Sequence, residues 1–211
     1  MFILVSLKDT VVILPKYFGS DLKEVIEQDL NSRFANKLVY KVGLCLSLWD
    51  ISKIEESYIS DVDGAYHALV TFRFACFRPF IDEILVGTVK SCSKNGIRVS
   101  LNFFDDIYIP PEKLRHPSHF DYEQNSWVWE YAYEGETAEL RIDKNDTIRF
   151  RVVEEIWRDL NPDGSKPTTS NGLNSTDAEA VSENQLVPTS AYTLIGSVVA
   201  DGLGVTCWWV S

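Results

Sequence analysis

Long apolar runs are missing from this sequence. No stretch approaches the roughly 20 consecutive apolar residues that a membrane-spanning helix needs, so no membrane partner is expected. The apolar start, Met1 to Val5, is short and has no basic segment ahead of it, which argues against a secretory signal. Cysteine is sparse: Cys45, Cys76, Cys92 and Cys207 lie far apart and form no C-x-x-C pair. That excludes a disulfide framework and a zinc ribbon, and leaves small core residues in a reducing compartment. Basic charge is also scarce. The chain has 20 Lys and Arg against 31 Asp and Glu, a formal net charge of −11. Phosphate affinity comes largely from counterion release by basic groups, so tight, sequence-independent duplex binding is not expected.

Catalytic signatures are absent too. There is no G-x-S-x-G, no P-loop and no H-E-x-x-H, and no cofactor is expected. Asp105 and Asp106 are adjacent; on a strand they would point to opposite faces and make a poor carboxylate pair for a metal. His116 and His119 have ligand-like spacing, but no third ligand is evident and Pro117 argues against a regular helix. A nuclease or other enzyme is therefore the least favoured class.

What is present is an ordinary globular composition, 45% hydrophobic and 24% charged, with 12% aromatic residues including six Trp. Phe2 to Leu14 reads as one long strand or a bent pair. Gly19-Ser20 marks a turn with an N-cap. Leu22, Val25, Ile26, Leu30 and Phe34 then recur at helical spacing, giving an amphipathic helix of about four turns that stops near Asn36. Leu38–Ile51 and Ile54–Ser60 read as strands, Asp61-Val62-Asp63-Gly64 as a turn, and Ala65–Phe77 as a long strand. One helix on an antiparallel sheet is an α+β arrangement.

Arg78-Pro79-Phe80 is a natural hinge, because proline cannot continue a central strand. Two domains are expected, 1–80 and 81–211. The charge differs between them: residues 1–80 carry nine basic against ten acidic residues, and residues 81–211 carry 11 against 21. Beyond the hinge, short strands are expected at Ile84–Cys92, Gly96–Phe103, Asp106–Ile109, Trp127–Tyr131, Thr147–Ile156, Ala191–Val199 and Thr206–Val210. Asn95-Gly96 is a hairpin turn. This spacing suggests a small OB-type β-barrel. The segment at about 161–188 is rich in Ser, Thr, Asn, Asp, Gly and Pro and is expected to be a disordered insertion.

Phe77-Arg78-Pro79-Phe80 followed by Glu83-Ile84-Leu85-Val86-Gly87-Thr88-Val89 resembles the domain junction in the stalk subunits of multi-subunit RNA polymerases. That family includes an archaeal stalk protein, the seventh subunit of polymerase II and a polymerase III counterpart. The strand start Met1-Phe2-Ile3-Leu4, the segment Pro15-Lys16-Tyr17-Phe18-Gly19, the turn Asp61 to Gly64 and the tail from Ile195 to Trp209 are similar in the same order. Ser126-Trp127-Val128-Trp129-Glu130-Tyr131 and Ile148-Arg149-Phe150-Arg151-Val152 resemble the polymerase III branch. The resemblance spans the chain outside the insertion.

The resemblance implies a tip domain with a truncated RNA-recognition-like fold, docked on the polymerase III core, and an OB-type barrel. It also implies a non-catalytic role in a stalk formed as a heterodimer with a small helical subunit. That stalk would support initiation, contact initiation factors and touch nascent RNA weakly, in the nucleus. Pro15, Lys16, Phe18 and Gly19, with Asp61, Val62, Asp63 and Gly64, would face the polymerase core; read locally, they are ordinary turns. Lys90, Lys94, Arg98, Arg149 and Arg151 would form a phosphate-tracking face, and Tyr108 and Phe103 could offer a stacking platform, with a core or barrel-rim role the favoured reading of Phe103. The same basic residues also fit a solvated strand surface beside many carboxylates. In RNA-binding barrels of this type the positions of Asn95 and Arg98 are often aromatic; here they are polar. Trp208-Trp209 would put one indole on each face of a strand, one packed in the barrel and the other toward a partner or under the loops. A free-standing OB-fold RNA-binding protein is the alternative; it would be a stable monomer with strongly salt-dependent RNA affinity.

Overall fold

In the computed structural model, residues 1–133, 136–158 and 190–209 are described. The insertion expected at 161–188 lies outside the described residues. Met1–Pro79 and Phe80–Ser211 form two compact units.

The first unit runs β1 (Phe2–Ile13), a 3₁₀ turn (Pro15–Tyr17), α1 (Leu22–Phe34), β2 (Lys37–Val39), β3 (Gly43–Ile59) and β4 (Tyr66–Phe77). Its sheet has the order β1-β4-β3-β2, with every pairing antiparallel. β1 and β4 pair without interruption from Phe2 opposite Phe77 to Ile13 opposite Tyr66. That register puts Val11 and Ile13 on the same face as Ala68, Val70, Phe72 and Phe74, all buried. Helix α1 covers this face with Ile26 and Leu30, both fully buried, and Phe34 reaches within 5.5 Å of Phe72 and 6.0 Å of Phe74, ring to ring. Each such buried side chain contributes about 1.5–3 kcal/mol.

The helix ends are set by local chemistry. Its N-cap is Asp21 rather than the expected Ser20: the Lys23 N–H donates to the Asp21 carboxylate at 2.9 Å. Asn36 takes the left-handed conformation, φ 58°, which Asn tolerates better than most residues and which stops the helix. The two strands expected over 38–60 are divided differently. A turn at Tyr40–Val42 separates β2, and β3 then runs unbroken to Ile59. Four register shifts against β4 absorb the polar residues that interrupt its alternation.

The second unit contains β5 (Ile84–Ser93), β6 (Gly96–Ser100), β7 (Ile107–Ile109), β8 (Ser118–Asp121), β9 (Ser126–Tyr133), β10 (Glu136–Ile142), β11 (Thr147–Trp157), β12 (Tyr192–Ser197) and β13 (Gly204–Val205). One sheet has the order β12-β7-β6-β5-β11, and β11 also pairs with β12. Five strands therefore close into an OB-type barrel, which removes the open edge. Val89, Ile97, Val99, Ile148, Phe150 and Leu194 are fully buried in it.

Strands β8, β9 and β10 form a separate three-stranded sheet, of which the sequence pattern gave only the middle strand. Trp127 of β9 ties it to the barrel, its indole N–H donating to the Ser93 carbonyl at 2.9 Å. The strand expected at Thr206–Val210 is replaced by a ladder of two residues, β13, and a 3₁₀ turn at Thr206–Trp209. Gly204 explains the turn. Its φ is +108°, and a Cβ there would lie 2.5 Å from the Trp208 ring, so only glycine lets that ring fold back.

Candidate interaction surfaces

Two surfaces follow from this framework, one on each unit. In the first unit, Ile13 and Ile59 both pair with Tyr66, so the segment after β1 and the β3–β4 turn emerge at the same end of the sheet. Pro15 opens the first loop with its fixed φ, and the Phe18 N–H closes on the Pro15 carbonyl at 3.1 Å. The second loop is closed by the Gly64 N–H on the Ser60 carbonyl at 2.8 Å, and by the Ala65 N–H on the Asp63 carboxylate at 3.0 Å. The Ala65 N–H, helped by the Ser60 hydroxyl, holds the Asp63 carboxyl below its ordinary value.

The two loops meet: a Cβ on Gly64 would stand 3.7 Å from the Pro15 ring. Phe18 is 51% exposed and Val62 97% exposed. Beside them lies a cavity of about 270 Å³ lined by Ile13, Tyr17, Phe18, Val25 and Ile59. Pro15, Lys16, Phe18, Gly19 and Asp61 to Gly64 thus belong to one end of the unit. Tyr17 and Ile59 were missed by sequence reasoning; Tyr17 sits inside the flagged segment, and Ile59 is an apolar strand end next to a turn.

On the barrel, the flagged basic residues fall in two places. Lys90 is on β5, Lys94 in the two-residue turn to β6, and Arg98 on β6 directly opposite Tyr108 of β7. Arg149 and Arg151 lie on β11, opposite Val86 and Ile84, along a different stretch of β5. Carboxylates accompany most of these cations. Lys90 pairs with Asp105, Arg98 with Asp106 at 3.3 Å, and Arg151 with Asp82 at 3.9 Å. Arg149 donates to the Gly202 carbonyl at 3.4 Å. The bond from Lys90, with a second from Ser100, holds the Asp105 carboxyl below its ordinary value.

Asp105 and Asp106 precede β7 rather than lying on a strand, and each serves a different cation. The Tyr108 hydroxyl donates to the Asn95 carbonyl, and burial raises its pKa. The ring lies over the hairpin turn, where a Cβ on Gly96, at φ +141°, would come within 2.9 Å of it. Tyr108 therefore clamps the turn while presenting part of its ring beside Arg98. Phe103 stands on the β6–β7 loop, 43% exposed.

The tail tryptophans do not alternate across a strand. Trp208 packs against Trp129 at 5.5 Å, and Trp209 is 41% exposed. His119 reaches Glu130 at 3.1 Å. Among the described residues, no group of three or more His, Cys, Asp or Glu could hold a metal ion, and no helix is long and apolar enough to cross a membrane.

Residues 83–209 match the family model described as RNA polymerase III subunit Rpc25. Residues 8–64 match the SHS2 domain found in the N terminus of Rpb7p and Rpc25p. The chain is 45% identical to DNA-directed RNA polymerase III subunit RPC8 of Bos taurus, over 100% of both chains. It is 36% identical to the subunit of the same name from Saccharomyces cerevisiae, over 99% of this chain and 100% of that one. Against DNA-directed RNA polymerase II subunit RPB7 of that yeast, identity is 30% over 54% of this chain and 70% of the relative. An SHS2 unit followed by a closed OB-type barrel, matched from end to end by such relatives, places the chain in the RNA polymerase III subunit Rpc25 family.

Proposed function

We propose that the chain is a non-catalytic subunit of DNA-directed RNA polymerase III, working in the nucleus by binding rather than by turnover. The observation that carries this reading is the end-to-end identity with polymerase III subunits, extending over both units. Met1–Pro79 is the docking unit. Its paired loops offer Phe18 and Val62 to the polymerase core, and an exposed aromatic beside Pro and Gly is a good interface anchor. A small helical subunit joins the chain as a heterodimer to form the stalk, and exposed apolar residues such as Phe2 and Leu4 on β1 provide surface for such a neighbour. The stalk supports initiation through contacts with initiation factors.

Contact with emerging RNA is weak in this reading, through Arg98 and Tyr108 together with Lys90 and Lys94, and through Arg149 and Arg151. Phosphate contact there must compete with Asp105, Asp106 and Asp82 for the same cations. Support for a non-catalytic role comes from the outward pairing of those carboxylates with basic residues, which leaves them no shared centre. Purification of the tagged chain in mild salt tests the reading. Recovery of a large multi-subunit polymerase III assembly with a small helical partner is expected. Recovery as a free monomer with strongly salt-dependent RNA affinity would overturn it in favour of a free-standing RNA-binding protein.

A further inference from the structure

Cys45 and Cys76 face each other across β3 and β4. They are direct partners in the ladder, and their sulfurs stand 3.4 Å apart. Both are free thiols and both are fully buried. Direct cross-strand partners have Cα atoms about 4.5–5.5 Å apart, inside the range of about 4.4–6.8 Å that a disulfide accepts. A bond between them therefore needs rotation of the side chains and no shift of either strand.

The place of the pair gives such a bond a consequence. Cys76 also pairs with Ile3 of β1, and Cys45 with Lys37 of β2, so this row crosses all four strands of the sheet. Immediately beyond it the register of β3 against β4 shifts, between Cys45 and Ser47, the first of four such shifts. Register decides which side chains of a strand face the core, and a covalent link at this row would pin it ahead of the first shift.

Burial keeps the pair unreactive while the sheet is closed. It pushes the Cys76 thiol up to about 12 and the Cys45 thiol upward, while the hydrogen bond from Cys76 works the other way at Cys45. Cys45 is therefore the first of the two to ionise. Beyond its strand lies only β2, a ladder of three residue pairs, with one further bond from the Asn36 N–H to the Cys45 carbonyl at 2.8 Å. A short edge ladder opens more readily than a long central one, and its release admits an oxidant of about the size of water.

We propose that Cys45 and Cys76 form a peroxide-sensitive thiol pair, closed to a cross-strand disulfide by hydrogen peroxide and reopened by a dithiol reductant. The Cys45 thiolate attacks one peroxide oxygen. The O–O bond breaks, hydroxide leaves and takes up a proton to become water, and Cys45 becomes a sulfenic acid. The Cys76 sulfur then attacks the Cys45 sulfur. The S–O bond breaks, and the departing hydroxide leaves with the Cys76 proton as a second water. Two thiols and one peroxide thus give one disulfide and two waters. In a reducing compartment the pair rests as the dithiol, and the disulfide marks an oxidising episode.

The test treats the full chain, with any copurifying partners, with hydrogen peroxide. Remaining thiols are alkylated after unfolding, and the peptides are mapped by mass spectrometry without reductant. A linked Cys45–Cys76 peptide is expected, lighter than the two reduced peptides by two hydrogen atoms and lost on treatment with dithiothreitol. Exposed Cys207 is the internal control for the oxidant. The oxidised chain should unfold about 5–15 °C higher than the reduced chain, the scale of a loop-closing crosslink. Cys76→Ala should abolish both the linked peptide and the rise. Full oxidation of Cys207 with Cys45 and Cys76 still alkylated would overturn the proposal. Sulfinic acid at either residue in place of the link would do the same, and so would an equal rise in Cys76→Ala. If that variant fails to fold, Cys45→Ala gives the same readout, and the linked wild-type peptide decides by itself.

Discussion

Gly64 packs against Pro15, with only 3.7 Å between the Pro15 Cγ and the place where a Gly64 Cβ would sit. This contact joins two turns that are distant in sequence into one apolar end. It brings the exposed side chains of Phe18 and Val62 to the same end of the unit.

Phe18→Asp should therefore leave the fold intact and weaken association with the polymerase. Thermal unfolding should be near wild type, as expected for a surface change worth no more than about 0.5 kcal/mol. Recovery of polymerase subunits with the tagged variant should fall about tenfold or more, the scale of a lost interface anchor. Undiminished recovery would remove the docking role from this end of the unit.

The sequence showed the chain's main strands because their burial follows a simple period. Ala68, Val70, Phe72 and Phe74 alternate without a break, and all four are buried. Strand β3 was harder to read because its bulges shift the period four times, so Ile51 and Ile54 looked like parts of different strands. Strands β8 and β10 left almost no signal. Ser118-His119-Phe120-Asp121 is too short to show alternation, and Glu136 to Leu140 is mostly polar. The turn at Thr206–Trp209 was read as a strand because tryptophan favours strands, whereas Gly204 set the local geometry. The two paired loops at the end of the first unit could be flagged from Pro15, Gly19 and Gly64. The pairing of the barrel's cations with Asp82, Asp105 and Asp106 depends on tertiary geometry that no spacing rule encodes.

That pairing gives the proposed RNA contact of the barrel a test. The double substitution Asp105→Asn with Asp106→Asn should free Lys90 and Arg98 for phosphate. Affinity for single-stranded oligouridine should rise, and the slope of log affinity against log salt should steepen by about 0.7 for each cation released. Fluorescence anisotropy at two salt concentrations measures both. If neither quantity moves, RNA does not contact this part of the barrel.

Thiol chemistry should divide the cysteines by burial. Cys45 and Cys76 are fully buried cross-strand neighbours with sulfurs 3.4 Å apart, and burial pushes the Cys76 thiol up to about 12 and the Cys45 thiol upward. Burial, with the nearby Asp143 and Asp146 charges, pushes Cys92 up to about 11. Cys207 is exposed. The thiolate is the reactive form, so a colorimetric disulfide reagent at neutral pH should titrate one fast thiol in the native chain and all four after unfolding. Loss of the fast phase in Cys207→Ser identifies it. A fast phase of three or more thiols in wild type would contradict the buried placement of the Cys45–Cys76 pair.

Acid should erase the contribution of the ion pair across β3 and β4. Arg73 donates from Nε to the Asp50 carboxylate at 2.8 Å, and its Nη2 engages the other carboxylate oxygen. Hydrogen bonding from Arg73 lowers the folded Asp50 pKa from the ordinary value of 3.8. A carboxyl whose folded pKa is depressed binds its proton more readily in the unfolded chain. Its stabilisation is therefore present above the unfolded value and is lost as the pH falls below 3.8 and through the folded value. Asp50→Asn should lower the urea midpoint at pH 7, and its difference from wild type should shrink as the pH falls below 3.8. The pair is exposed on both sides, so the shift at pH 7 should be small and should narrow further in high salt. A difference that persists undiminished at low pH would mean that the Asn side chain disturbs the β3–β4 ladder itself, and that the charge of Asp50 is not what stabilises it.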